Sequence, residues 1–150
     1  MKNLYDATKV EELKERLGRL TPESPRQWGK MNAAQAMAHC ATAMELAVGD
    51  AIAPRMFVGR LIGGLIKPKV LGDDAPMRKN SPTVPTLVVS DERDLAKERE
   101  RLCGLLERFA KAGPAGCTKH PHSFFGRMKP EEWAILLYKH LDHHLRQFGV

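Results

Sequence analysis

The stretch PEEWAILLYKHLDHHLRQF, Pro130 to Phe148, constrains the fold more than any other part of the chain. At about 100° per residue, Trp133, Leu137, Leu141 and Phe148 share one face, flanked by Ala134, Tyr138 and Leu145. Pro130 takes the favoured first position of a helix, and Glu131 and Glu132 suit the positive end of its dipole. An amphipathic helix of this kind must bury its stripe against other helices. His144 projects into the middle of that apolar arc. His140 lies at its edge, one turn away and about 40° round, whereas His143 is turned about 100° from His144.

Three further segments carry the same period. Val10, Leu13, Leu17 and Leu20 follow a start at Thr8, with Glu11 in a capping-box position, and TPESP (Thr21 to Pro25) ends the run. A second helix begins at Asn32, paired with Gln35, and runs through AAQAMAHCATAMELAV to Gly49. Its inward positions are small: Ala36, Ala43 and Ala47 align with His39 and Cys40. A third long helix starts near Ser90 or Asp91, places Leu95, Leu102, Leu105, Leu106 and Phe109 on one stripe, and stops before Gly113-Pro114. Its run RDLAKERERL reads as a solvated face. Between Gly49 and Val89 the chain holds a short apolar helix around Met56 to Ile66 and then a proline-rich connection. So long a connection suits a crossover between helices that are not simple antiparallel neighbours. TLVV (Thr86 to Val89) is the sole candidate strand. The expectation is an all-α, four-helix bundle with a long crossover between its second and third helices, formed by residues 1–150 as one domain.

Composition narrows the function. The chain has 150 residues, a formal charge of +6 and 18 acidic residues interleaved among 24 basic ones, with no long block of one sign. That pattern disfavours nucleic acid as a partner. Cys40, Cys103 and Cys117 are odd in number and widely spaced, which argues against a disulfide framework and for a reducing, cytoplasmic setting. The opening MKNLYDATKVEELKERL lacks the apolar run of a signal peptide, and MFVGRLIGGLI is too short to span a bilayer.

The chemistry rests on histidine. Two histidines at i and i+4 on one helix face can hold the same ion, and buried neutral imidazoles need a partner for each lone pair. His39, alone at the centre of the second helix, is the third candidate, its alanine neighbours leaving room. His39, His140 and His144 would fill one side of a coordination sphere and leave the other open. His120 and His122, in the loop entering the last helix, read as loop packing or substrate contacts. Gln147, one turn beyond His144, could orient a bound water. Cys40 reads as a small core residue and His143 as a bystander. No general acid or base declares itself, since Asp142 and Glu45 both turn away from the histidines.

Three stretches, WGKMNAAQAMAHCATAMELAVGD (Trp28 to Asp50), KNSPTVPT (Lys79 to Thr86) and HPHSFFGRMKPEEWAILLYKHLDHHLRQFGV (His120 to Val150), resemble the family called domain of unknown function 1569, of the DinB-like superfamily of metalloenzymes. The resemblance implies a four-helix bundle with a divalent ion on one histidine of helix two and two of helix four, here His39, His140 and His144. Better-understood members of the superfamily are transferases and isomerases that use low-molecular-weight thiols, and by that analogy the expected activity is a metal-dependent transferase or hydrolase. Zinc suits neutral imidazoles first, with nickel, iron or manganese as alternatives. A small-molecule substrate, and a homodimer partner, complete the expectation; the competing one is a non-catalytic bundle that the ion only stabilises, acting as a stress-related binding or assembly module.

Overall fold

A computed structural model describes residues 1–150. The chain is all-helical: α1 (Ala7–Gly18), α2 (Ala33–Val48), α3 (Phe57–Leu71), α4 (Leu95–Ala112) and α5 (Pro130–Gln147), with 3-10 turns at Pro85–Leu87 and Pro114–Gly116. Five helices form, the crossover helix being a full one. TLVV is no strand: Pro85 opens a 3-10 turn there, and Val88 runs on in extended backbone without a partner strand.

The caps explain the boundaries. Asn32 accepts from the Gln35 N–H while the Gln35 side chain accepts from the Asn32 N–H, and Gly49 closes α2 at φ 83°, where a side chain would be strained. α1 begins earlier than Thr8, because the Asp6 carboxylate takes the Thr8 N–H and fixes the first turn. α4 begins later than Ser90, because Asp94 captures the Lys97 N–H. Pro130 is the first residue of α5, and Glu132 reaches back to the Lys129 N–H.

α2 is the central element. It packs on α4 and α5, and α1 packs on the same two helices, so these four share a core whose fully buried members include Leu13, Leu17, Met37, Leu102, Leu106, Phe109 and Leu145. Alanines at 36, 38, 41 and 47 are wholly buried and allow the neighbours to approach closely. Two carboxylate clusters at the seams are paired with arginines. Arg101 bridges Glu45 and Glu98, at 2.7 and 3.0 Å, which draws Glu98 into the interior and makes RDLAKERERL only partly a solvated face. Asp142 is held by Arg16 at 2.7 Å and Arg146 at 2.8 Å.

α3 lies apart, against α5. It runs beyond Ile66 to Leu71 and passes through Pro68, whose missing N–H affects one exposed turn. Gly59 and Gly63 press on the backbone of Phe124; a Cβ on Gly59 would lie 2.5 Å from the Phe124 carbonyl oxygen. Buried Lys139 of α5 caps the far end, donating to the carbonyls of Val70 at 2.6 Å and Asp73 at 2.9 Å. The opposite face of α3 leaves Phe57, Leu61 and Leu65 74, 65 and 73 % exposed.

Candidate metal centre

The α2–α5 seam brings His39, His140 and His144 together, with a ligand atom from each lying within 4.8 Å of the others. Their rings meet edge-on, centroids 4.7 to 4.9 Å apart. His39 is 3 % exposed and His144 7 %.

Hydrogen bonds decide which nitrogens carry lone pairs. The Leu87 carbonyl lies 2.8 Å from His39 Nδ1 and can only accept, so Nδ1 is the N–H and Nε2 the lone pair. For His144 the argument has one more step. Gln147 Nε2 donates to the Trp28 carbonyl at 2.7 Å, so its Oε1 faces His144 Nδ1, 2.8 Å away, and must accept from it. His144 Nε2 is therefore also a lone pair. His140 Nε2 stands 2.8 Å from His39 Nε2. That contact is a hydrogen bond when His140 carries its proton on Nε2; with the proton on Nδ1, both Nε2 lone pairs belong to the same small space.

All three imidazoles are neutral at pH 7. Burial, then His39, pushes His144 down to about 3. Burial, then its two histidine neighbours His39 and His144, holds His140 well below the ordinary range. Burial also lowers His39, against the pull of the Leu87 carbonyl. Three neutral imidazoles with no carboxylate among them cannot share a proton cheaply, and this donor set fits a divalent ion such as zinc.

The other residues of interest fall elsewhere. His122 Nδ1 accepts the N–H groups of Phe124 and Phe125, both at 3.1 Å, so its lone pair is spent on the turn; burial, then Arg55, pushes it down to about 4. His120 is exposed. Gln147 acts on His144 itself. Burial raises the Cys40 thiol, which leaves it a core residue. His143 lies between Trp28 and His144, its ring tilted against the first at 5.4 Å and edge-on to the second at 5.0 Å, and lines a cavity of about 370 Å³. The Leu87 and Trp28 carbonyls are participants that side-chain patterns cannot reveal. Gly29, at φ 79°, lets the backbone pass close to Gln147, since a Cβ there would meet its Nε2 at 2.5 Å.

No curated protein and no solved structure matches the chain. A family model does, over residues 2–149, and its description is protein of unknown function (DUF1569). The match takes in both histidine-bearing helices and the crossover that contacts His39, so the chain belongs to the DUF1569 family.

Proposed function

We propose that the protein is a metal-dependent enzyme of the DinB-like type, with α1, α2, α4 and α5 as the four helices of its bundle and α3 inside the crossover. His39, His140 and His144 hold one divalent ion, zinc by the chemistry of the donors. The observation that carries this reading is the pair of hydrogen bonds, to Leu87 and to Gln147, that leaves Nε2 of His39 and of His144 as lone pairs in one space. Such an ion supplies Lewis acidity and a lowered pKa to a bound thiol or water. The Leu87 carbonyl and Gln147 orient two imidazoles, and the Trp28 carbonyl orients Gln147 in turn.

The carboxylates near the seam are committed, Asp142 to Arg16 and Arg146, Glu45 to Arg101. A general base from α2 or α5 is thereby disfavoured, which fits a reaction in which the nucleophile is activated by the ion. The reaction class is transfer with a low-molecular-weight thiol, or hydrolysis, on a small-molecule substrate in the cytoplasm. A second copy of the chain belongs among its partners, because Phe57, Leu61 and Leu65 of α3 are left uncovered.

The burial of the cluster favours a second reading, in which the ion only joins α2 to α5. Chelation would then lower the melting temperature without any turnover to lose. Metal analysis with a turnover screen over thiol cofactors and model electrophiles separates the two. The proposal expects close to one ion per chain, its loss in His144→Ala, and affinity weakened about 10–100-fold in Gln147→Leu. Wild-type protein that is metal-free and refractory to zinc and nickel would sink both readings.

A further inference from the structure

The cavity beside His143 has no part in the metal cluster, yet its walls have a definite chemistry. It is about 370 Å³ in volume, within the range of small-molecule sites, and Trp28, Pro76 and Met77 supply its apolar surface. Its polar walls are Gln27, Lys79, His143 and Arg146, and no acidic side chain lines it. The Lys79 ammonium makes no ion pair; its one partner is the face of Trp28, 4.4 Å from the ring centroid. Arg146 gives only Nε to Asp142 and leaves both terminal nitrogens without a protein partner. The negative groups at the rim are already served, since Arg16 holds Asp142 and the backbone oxygen of Val150.

Two under-used cations therefore converge on an apolar hollow. We propose that this cavity binds a small organic oxyanion, its carboxylate or phosphonate group between Lys79 and Arg146 and its apolar body against Trp28, Pro76 and Met77. An oxyanion is a stronger partner for Lys79 than a ring face, and the guanidinium fork of Arg146 matches two oxygens at once. The site stands on the cavity's own residues and needs no metal.

Phenylphosphonate is the probe, titrated by calorimetry and by tryptophan fluorescence into chelated and into zinc-loaded protein. Saturable binding is expected in both, weakening as salt rises. Benzyl alcohol, with no charge, and inorganic phosphate, with no apolar body, should each bind at least about tenfold more weakly, as one lost charged or apolar contact region is worth that factor. Lys79→Met, at an exposed position, should keep the wild-type circular dichroism and weaken phenylphosphonate about tenfold. No saturable binding, equal binding of benzyl alcohol or inorganic phosphate, or an unchanged Lys79→Met variant would overturn the assignment. The result is independent of the metal reading, because binding to chelated protein is measured in its own right.

Discussion

α2 and α3 are both apolar helices that turn small residues toward their neighbours, with opposite outcomes. α2 uses alanines and is buried on most sides, so its one imidazole sits in a closely packed interior where its tautomer is fixed. α3 uses glycines against the backbone of Phe124 and is left with its large side chains in water. Small residues thus set how close a helix approaches, while the number of neighbours sets what is buried. α2 packs on two long helices, α4 and α5, whereas α3 packs chiefly on α5 and the Phe124 loop.

The largest effect that tests this contrast is a matched pair of truncations. Phe109→Ala removes a fully buried ring from the shared core and should cost about 3–5 kcal/mol. Phe57→Ala removes a ring that is exposed in the single chain and, at concentrations too low for a second copy to cover α3, should stay within about 0.5 kcal/mol. Urea unfolding reads both, and a large loss at Phe57 would mean that α3 is covered in solution.

Acid should attack the buried seam next. His39, His140 and His144 have folded pKa values below the unfolded value near 6.5. Above pH 6.5 both states are neutral there and stability is complete. Below it the unfolded chain takes up protons that the folded one refuses, so stability falls with pH down toward 3 for His144. Chelated protein should lose up to about 1.4 kcal/mol per pH unit for each such group. A flat profile between pH 7 and 5 would contradict neutral burial of the cluster.

The smallest effect separates two adjacent glycines. A Cβ on Gly63 would overlap the Phe124 carbonyl, whereas on Gly64 it meets nothing within 4 Å. Gly63→Ala should destabilise by about 1–2 kcal/mol, and Gly64→Ala should stabilise by about 0.5–1 kcal/mol through helix propensity. Equal effects would show that α3 does not dock as described.

What the sequence made legible follows the same division. Asn32, Gln35, Gly49 and Pro130 marked ends of α2 and α5 because cap chemistry is local. The histidine pair was legible too, since helical spacing puts His140 and His144 on one face of α5, and His39 was legible as the third candidate at the centre of α2. Competing caps were harder: Ser90, Asp91 and Asp94 are all suitable, and only the placement of the Lys97 N–H selects Asp94. Glu98 looked solvated until Arg93 and Arg101 supplied partners from either side. The contacts that fix tautomers were invisible, because the carbonyls of Leu87 and Trp28 are common to every residue type and only tertiary placement aims them.

The Leu87 carbonyl also says which parts of the crossover can vary in length. It belongs to the 3-10 turn Pro85–Leu87, whose own N–H at Leu87 is tied back to Val84, so the turn delivers that one oxygen to His39 while the Leu87 side chain joins the core. An insertion at the exposed residues Asp74 and Ala75 leaves this delivery alone. A single residue added between Val84 and Val88 moves the oxygen and frees the ring of His39 to turn over, without altering any of the three histidines. Within the crossover, length is therefore expendable at the exposed Asp74–Ala75 turn and chemically meaningful between Val84 and Val88.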